Sequence, residues 1–318
     1  MMFRILVRSD KPFYYAPRNS SFVDALSHAL ITIILFSGPW LLPFIPFAVL
    51  GAVIPDADIL FVRVSDRNPS LYLFTHGGIA HSIAGVFVLS LLAYSTVVLL
   101  AAAGVIPSVA ITAAGLYGFC AVLAGALLHI LIDVSAIPGI PLLAPFSDRK
   151  YTLGILPGPS LLLAVAAFGF VVVTVFSFVP FSSALAFYGI IVILYVAVRA
   201  GIFLIAAIAL PGWKIPSINP FRWLVIGEDA DSYTIRFFTF FRGYSNEAVF
   251  VKFKTTDARE TGAVSHLPEV RRFRFFSYIE AAERTGSVLV LSDPLREKNF
   301  LYYPMKYKRV EVNLDTST

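Results

Sequence analysis

Long uncharged apolar runs constrain the fold of this chain more than any other feature of its sequence. Residues 79–103 and 109–132 contain no Asp, Glu, Lys or Arg, and residues 183–210 contain only Arg199. Each run exceeds the roughly 20 residues that an α-helix needs to cross a bilayer. Charged residues make up 14% of the chain and its mean hydropathy is +0.78, whereas soluble domains average about 25% charged residues. The sequence therefore predicts a polytopic membrane protein.

Six apolar segments predict an all-α membrane helical bundle. They span residues 22–36, 41–54, 79–103, 109–132, 160–179 and 183–210. The first two are short for complete crossings, so they form either two spans or one hairpin that enters the membrane deeply. Residues 55–78, which follow the second segment, are predicted to form a polar loop.

The distribution of Lys and Arg predicts the orientation. If the N-terminus is cytoplasmic and all six segments cross, the loops on the opposite side, 38–40, 104–108 and 180–182, carry no charge. Every loop Lys and Arg then lies in the cytoplasm, as the positive-inside rule requires. We therefore expect a multi-pass protein of the cell membrane with both termini cytoplasmic. The same rule explains the net charge of +5, so no nucleic-acid partner is expected.

The composition divides the chain into three parts. Residues 1–21 are a basic N-terminal lead, and residues 22–212 are the membrane domain. Residues 213–318 alternate aromatic or β-branched residues with polar ones, which is typical of strands, and residues 269–284 have the pattern of an amphipathic helix. We predict a small cytoplasmic α+β domain there, with His266 on a solvated loop.

Seven side chains form a candidate metal site. The predicted topology brings them to one membrane surface, and they include four of the five histidines in the chain. They are His28, Asp56, Asp58, His76, His81, His129 and Asp133. The single cysteine, Cys120, lies inside an apolar run, so a thiolate cluster is excluded and any ion must be held by imidazole and carboxylate groups. We expect a divalent metal, zinc with manganese as the alternative.

Local spacing supports this site. His129 and Asp133 are four residues apart, which places both on one face of a helix, about 6 Å apart at Cβ. A turn at Gly77-Gly78 would fold His76 back towards His81. In a hydrolytic site the metal activates water, and Asp56 or Asp58 would be the catalytic general base.

The ordered motifs resemble a known family. Pro55-Asp56-x-Asp58, His76-x-Gly78-x-x-His81-Ser82 and His129-x3-Asp133, followed by the proline-rich residues 138–145, are similar to the YdjM-like membrane-bound metal-dependent hydrolases over about residues 22–158. The resemblance implies a histidine in the first apolar segment, where His28 stands. The chain departs from the family at Gly77 and Ala80, where Arg and Thr are usual.

The order of His and Asp is distantly similar to the zinc phospholipase C and P1 nuclease group. That resemblance implies zinc ions inside a helical bundle and cleavage of phosphoesters. It assigns the first ion to His129, Asp133, one carboxylate of Asp56 or Asp58 and one imidazole of His76 or His81. It assigns a second ion to His28 with Asp133. The later His-x3-Glu pair of that group has no counterpart here.

Together these features predict a metal-dependent hydrolase at the cytoplasmic membrane surface, acting on a phosphoester or lipid-linked substrate. Four loop cations either contact an anionic head group or only enforce topology; they are Arg63, Arg67, Arg149 and Lys150. Membrane lipids are the expected partners, and the oligomeric state is left open.

Two other functions use the same residues differently. An ion or proton-coupled transporter would employ the His and Asp set as a relay, with Arg199 as a gate or counter-ion. A membrane-anchored binding module would place its function in residues 213–318.

Overall fold

The computed structural model describes residues 20–316 except residues 108, 159 and 246. The described chain forms two compact units, a helical one that ends at Leu210 and a sheet-rich one that begins at Pro211. Residues 1–19 of the predicted basic lead lie outside the described residues.

Helices account for nearly all regular structure in the first unit. The α-helices of its described part are α1 (Ser20–Leu35), α2 (Ile45–Val53), α3 (Val62–Arg67), α4 (Ile83–Ala102), α5 (Val109–Val134), α6 (Leu161–Val175) and α7 (Phe181–Ala209). Short 3-10 helices lie between them at Leu42–Phe44, Ile54–Phe61, Pro69–Phe74 and Ile79–His81.

Four helical segments among the described residues are long and apolar enough to cross a membrane. They are Leu42–Arg67, Ile83–Ala102, Gly115–Val134 and Phe181–Ala209. Two shorter apolar helices cover Ala25–Leu35 and Leu161–Val175. The predicted helical membrane region is therefore confirmed, whereas the count of six crossings is not.

The second apolar segment continues beyond its predicted end. We expected residues 55–78 to form a polar loop, and this was wrong: the chain stays helical through Ile54–Phe61 and α3. Pro55 lies where α2 passes into the 3-10 helix, and its missing N–H removes one hydrogen bond from this junction. Asp56 and Asp58 are thus held on a helical segment rather than on a loop.

Small residues let α2 and α5 cross closely. A Cβ atom on Gly51 would lie 1.8 Å from the backbone oxygen of Val122, and one on Gly125 would lie 1.9 Å from the backbone oxygen of Ala48. Membrane helices that lack a hydrophobic driving force associate through such small-residue contacts. This crossing brings the Ala52 carbonyl oxygen within 2.7 Å of His129 Nδ1, so the packing directly supports the candidate metal site.

Two sheets form the second unit, as its alternating sequence predicts. The first contains β1 (Trp213–Pro216), β2 (Arg222–Glu228), β3 (Ser232–Thr239), β4 (Gly243–Tyr244) and β5 (Ala248–Val251), all antiparallel, with β4 and β5 both paired to β3. The second contains β6 (Phe253–Lys254), β7 (Ala281–Thr285), β8 (Val288–Ser292) and β9 (Arg309–Asn313) in that order, with β6 and β7 parallel.

Three short helices complete this unit: α8 (Ala258–Ala263), α9 (Pro268–Phe276) and α10 (Pro294–Glu297). Helix α9 packs Val270 and Phe273 against Leu289 and Leu291 of β8. The predicted helix 269–284 ends early, because residues 281–285 instead pair with β8 as the strand β7. Sheet pairing has overridden local helix preference there.

Arg296 organises the irregular end of the second unit. Its side chain is fully buried, bonds Asp293 at 2.7 Å and donates hydrogen bonds to the carbonyl oxygens of Pro304, Lys306 and Tyr307. The buried charge is thus paired and its donors are used.

Removing this buried pair should destabilise the second unit. We expect Arg296→Ala to cost about 3–5 kcal/mol, because Asp293 would remain buried without its counter-ion. Arg309→Ala is the control, since Arg309 pairs with Glu311 at the surface and such pairs contribute about 1 kcal/mol or less. Limited proteolysis of the purified full-length protein in urea measures the difference. Equal resistance of the two variants would contradict the role given to Arg296.

The α2–α5 crossing predicts a contrast between two glycines. Gly51→Ala should destabilise the helical unit by about 1–3 kcal/mol, because its new methyl group collides with backbone. Gly201→Ala in α7 is the control, since its Cβ would meet nothing within 4 Å. Thermal unfolding in detergent compares them. If the two substitutions lowered the melting temperature equally, the close crossing would be refuted.

Candidate metal centre

Four separate segments supply the seven predicted side chains, and the fold brings all seven together. His28 comes from α1, Asp56 and Asp58 from the 3-10 helix Ile54–Phe61, and His129 and Asp133 from the last turns of α5. His76 and His81 come from the segment that joins Phe74 to α4. Each of the seven lies within 3.5 Å of another member of the set.

Four ligand-type atoms form the centre of this cluster. His81 Nε2 and His129 Nε2 lie 3.2 Å apart. Asp56 Oδ1 is 3.5 Å from each of these nitrogens. Asp133 Oδ2 is 3.4 Å from His81 Nε2 and 3.3 Å from His129 Nε2. We call these four residues the central set.

The surroundings of the Nδ1 atoms of His81 and His129 determine whether the Nε2 atoms carry a proton or a lone pair. His129 Nδ1 lies 2.7 Å from the Ala52 carbonyl oxygen, and His81 Nδ1 lies 3.1 Å from Asp58 Oδ2. The carbonyl oxygen only accepts hydrogen bonds, so His129 Nδ1 carries the proton and donates it, whereas His81 Nδ1 is buried and has no hydrogen-bond partner among the described residues. In its neutral form, His129 therefore directs the lone pair of its Nε2 atom at His81 Nε2 and at two carboxylates.

Asp58 lies behind the central set. Its carboxylate accepts from His76 Nδ1 at 2.8 Å and from the Gly77 backbone N–H at 3.1 Å, and its Oδ2 atom lies 3.1 Å from His81 Nδ1. One carboxylate thus contacts two imidazoles and holds the turn between them.

The Gly77-Gly78 turn folds His76 back, and the two rings meet edge to face with centroids 5.5 Å apart. Gly77 has φ +71°, a conformation that favours glycine. A Cβ on Gly78 would lie 2.0 Å from the Leu73 carbonyl oxygen. Both glycines are therefore required by the backbone at this point.

His28 packs on the opposite side of His129. Their rings stack with centroids 3.9 Å apart, and His28 Nε2 lies 3.4 Å from Asp133 Oδ1. His28 Nδ1 and Asp56 Oδ2 are buried and have no hydrogen-bond partner among the described residues. Unpaired buried polar atoms are costly, so these two atoms indicate that the cluster accommodates a further group.

The cluster is deep but open at one edge. His81 and His129 are at most 1% exposed, whereas the side chains of Asp133 and His76 are 26% and 29% exposed. Burial opposes protonation of His81, but hydrogen bonds with Asp56 and Asp58 outweigh it and raise the pKa of His81 to about 10. At neutral pH this imidazole is therefore either protonated or bound to a cation.

Some groups of the site could not be identified from sequence motifs. The Ala52 carbonyl and the Gly77 N–H are backbone atoms, so no side-chain motif marks them. The only available signal was the small-residue spacing of Gly51 with Ala52 and Gly125 with Ala126, which is typical of closely packed membrane helices.

The loop cations differ in their surroundings. Arg63, Arg67 and Arg149 are exposed, and Arg149 lies over the ring of Tyr151 at 5.7 Å. Arg199 is buried in α7 with its guanidinium 5.4 Å from the Tyr195 ring centre.

Comparisons with known proteins place the chain in a family. The model of the family described as YdjM inner membrane protein matches residues 23–208, which is more than half of the chain and includes all seven site residues. No curated protein and no solved structure matched, so the distant similarity to zinc phospholipase C and P1 nuclease stays an expectation. The apolar helices and the family description agree on a multi-pass membrane protein. The chain belongs to the YdjM inner membrane protein family.

Proposed function

We propose that this protein is a membrane-bound, metal-dependent hydrolase. The observation that carries the proposal is the convergence of two imidazole nitrogens and two carboxylate oxygens, in which the nitrogen–nitrogen distance and the four nitrogen–oxygen distances are 3.2–3.5 Å. Like-charged and lone-pair-bearing atoms at this separation repel, and a cation between them removes the repulsion.

The donor set fits zinc. Nitrogen and oxygen ligands about 2.0–2.1 Å from a tetrahedral Zn²⁺ lie roughly 3.3 Å from one another, and the distances in the central set match this value. Two imidazoles with two carboxylates are also a mixed donor set that zinc accepts, whereas manganese favours oxygen. If it expands its coordination to take water or substrate as a fifth ligand, a divalent ion held there would polarise a scissile oxygen and lower the pKa of bound water towards about 7.

The remaining residues have separate roles in the proposal. Asp58 orients His76, because it accepts from the Nδ1 atom of that residue, and its other oxygen lies 3.1 Å from His81 Nδ1. His76 is the more exposed of these two imidazoles, and its Nε2 atom can take up a proton at the open edge while Asp58 stabilises the charged ring. The general-base role predicted for Asp56 or Asp58 stays a prediction, and this geometry favours His76.

Further donor atoms are available for a second ion. His28, His129 and Asp133 offer ligand atoms within 4.8 Å of one another, as do Asp56, His76 and His81. Asp133 belongs to the first of these groups and Asp56 to the second. Each has two carboxylate oxygens, so either residue can bridge two ions.

The location of the site suggests the substrate class. The exposed edge lies where α5 ends and the loops begin, which is the depth of lipid head groups if all six apolar segments cross. With cytoplasmic termini this edge faces the cytoplasm. A phosphoester or lipid-linked substrate fits such an opening.

The alternatives receive less support. A proton or ion relay needs titratable groups distributed across the membrane, whereas the seven His and Asp side chains gather at one point. The second unit, as an anchored binding module, is independent of this geometry and stays a prediction.

Metal content provides the first test. Purified wild-type protein should contain at least one zinc ion per chain by mass spectrometry, and His129→Ala with Asp133→Ala should remove it, because these residues supply two of the four central donors. His266→Ala is the matched control, since the fifth histidine belongs to the second unit. Wild-type protein that holds no metal after zinc loading would end the proposal.

The role of Asp58 predicts a graded effect. Asp58→Asn should weaken zinc binding by about 10–100-fold, as expected for a group that orients a ligand, whereas Asp56→Asn should weaken it more. Competition with a chelator of known affinity measures both. If the two losses were equal, Asp58 would be a direct ligand instead.

Hydrolysis is tested directly in zinc-loaded proteoliposomes. Fluorogenic phosphomonoesters, phosphodiesters and carboxylic esters, each in soluble and lipid-linked form, should reveal product formation that His129→Ala abolishes and His266→Ala retains. Accumulation of solute without product would support the transporter instead.

A further inference from the structure

A rigid loop beside the site presents an exposed phenylalanine. The Ile140 N–H donates to the Tyr151 carbonyl and the Tyr151 N–H donates to the Ile140 carbonyl, which closes residues 141–150 into one loop. Phe146 at its tip is 92% exposed, whereas Ala144, two residues earlier, is buried. The exposed Phe146 side chain is therefore part of an ordered loop.

Both exposed site residues are connected to this loop. Tyr72, four residues before His76, donates its hydroxyl to Asp148 at 2.6 Å. The carbonyl oxygen of Val134, the residue after Asp133, accepts a hydrogen bond from the Leu153 N–H. Leu153 lies three residues after the end of the loop. At its base, Ile140 packs with Ile130 of α5 in a buried cluster. The loop thus has a defined position next to the open edge of the metal centre.

The surroundings of the loop match a membrane interface. Leu131 of the Gly115–Val134 span and Leu60 of the Leu42–Arg67 span are also exposed, and they flank the site residues Asp133 and Asp58 in sequence. These apolar side chains lie on segments that are long and apolar enough to cross a membrane, and Phe146 is an exposed apolar side chain of the same kind. Arg149 and Lys150 follow Phe146 within four residues. Aromatic and basic side chains side by side are typical of the head-group region.

We propose that residues 141–150 form an interfacial anchor that recognises anionic phospholipid. Phe146 and Leu143 insert among the acyl chains, and Arg149 with Lys150 contacts the phosphate head group. The anchor thereby holds lipid head groups beside His76 and Asp133. This presentation of head groups to the metal centre rests on the proposed hydrolase function, whereas the anchoring does not.

Spin labelling tests the insertion. Cys120 is the only cysteine, so Cys120→Ala provides a background in which Phe146→Cys carries a single nitroxide. In nanodiscs of phosphatidylcholine and phosphatidylglycerol, this label should be severalfold less accessible to a water-soluble nickel chelate and more accessible to oxygen than a label on Lys298→Cys. Lys298 is exposed in the second unit. Equal nickel accessibility at the two positions would overturn the anchor.

Lipid selectivity tests the cations. Spin-labelled phosphatidylglycerol should be held by the protein in preference to spin-labelled phosphatidylcholine, and Arg149→Gln with Lys150→Gln should reduce that preference. Lys298→Gln with Arg309→Gln removes the same charge from the second unit and should leave it intact. An unchanged preference in the Arg149 and Lys150 variant would overturn head-group recognition.

Zinc content, measured on the same samples, separates this proposal from the hydrolase. Phe146→Ser should retain the zinc of the wild type because Phe146 contributes no ligand. Insertion of the label in a protein that binds no zinc would leave the anchor standing and remove the hydrolase. Zinc binding in a protein whose label does not insert would overturn the anchor and leave the hydrolase standing.

Discussion

Electrostatic repulsion among four closely spaced donor atoms is the constraint on which this structure depends. Two Nε2 atoms and two carboxylates face one another at the end of a membrane helix bundle, where three of the four side chains are buried and charge interactions are strong. Such a cluster is stable only if a cation or protons neutralise it. In the protein without a cation, a protonated His81 would serve.

The fold is arranged to keep that geometry. The close crossing at Gly51 and Gly125 places a backbone carbonyl against His129, and the 3-10 helix after Pro55 aims two carboxylates inward. A tightened helical turn of this kind within a longer helical segment is common at functional sites. Asp58 then fixes the loop that carries His76 and His81. Each of these supports comes from the helical unit itself.

Much of this could be predicted from the sequence because ionisable groups in a membrane protein are few. The predicted topology placed seven His and Asp residues at one depth, and the i, i+4 spacing of His129 and Asp133 placed both on one face. The continuation of the helix past Pro55 could not be predicted, since proline is as compatible with a first helical turn as with a helix end. Strand β7 was also missed, because its pairing with β8 outweighs the helical pattern of residues 269–284. The roles of Asp58 and Ala52 depend on hydrogen bonds that only the folded chain brings together.

The central claim is that imidazole and carboxylate groups from distant parts of the chain hold one divalent ion. X-ray absorption at the zinc edge of the purified, zinc-loaded protein tests this most directly. Four nitrogen or oxygen neighbours at about 2.0 Å are expected, with outer-shell scattering from two imidazole rings that is lost in His81→Ala and His129→Ala. A spectrum of hydrated zinc without imidazole scattering would contradict the claim.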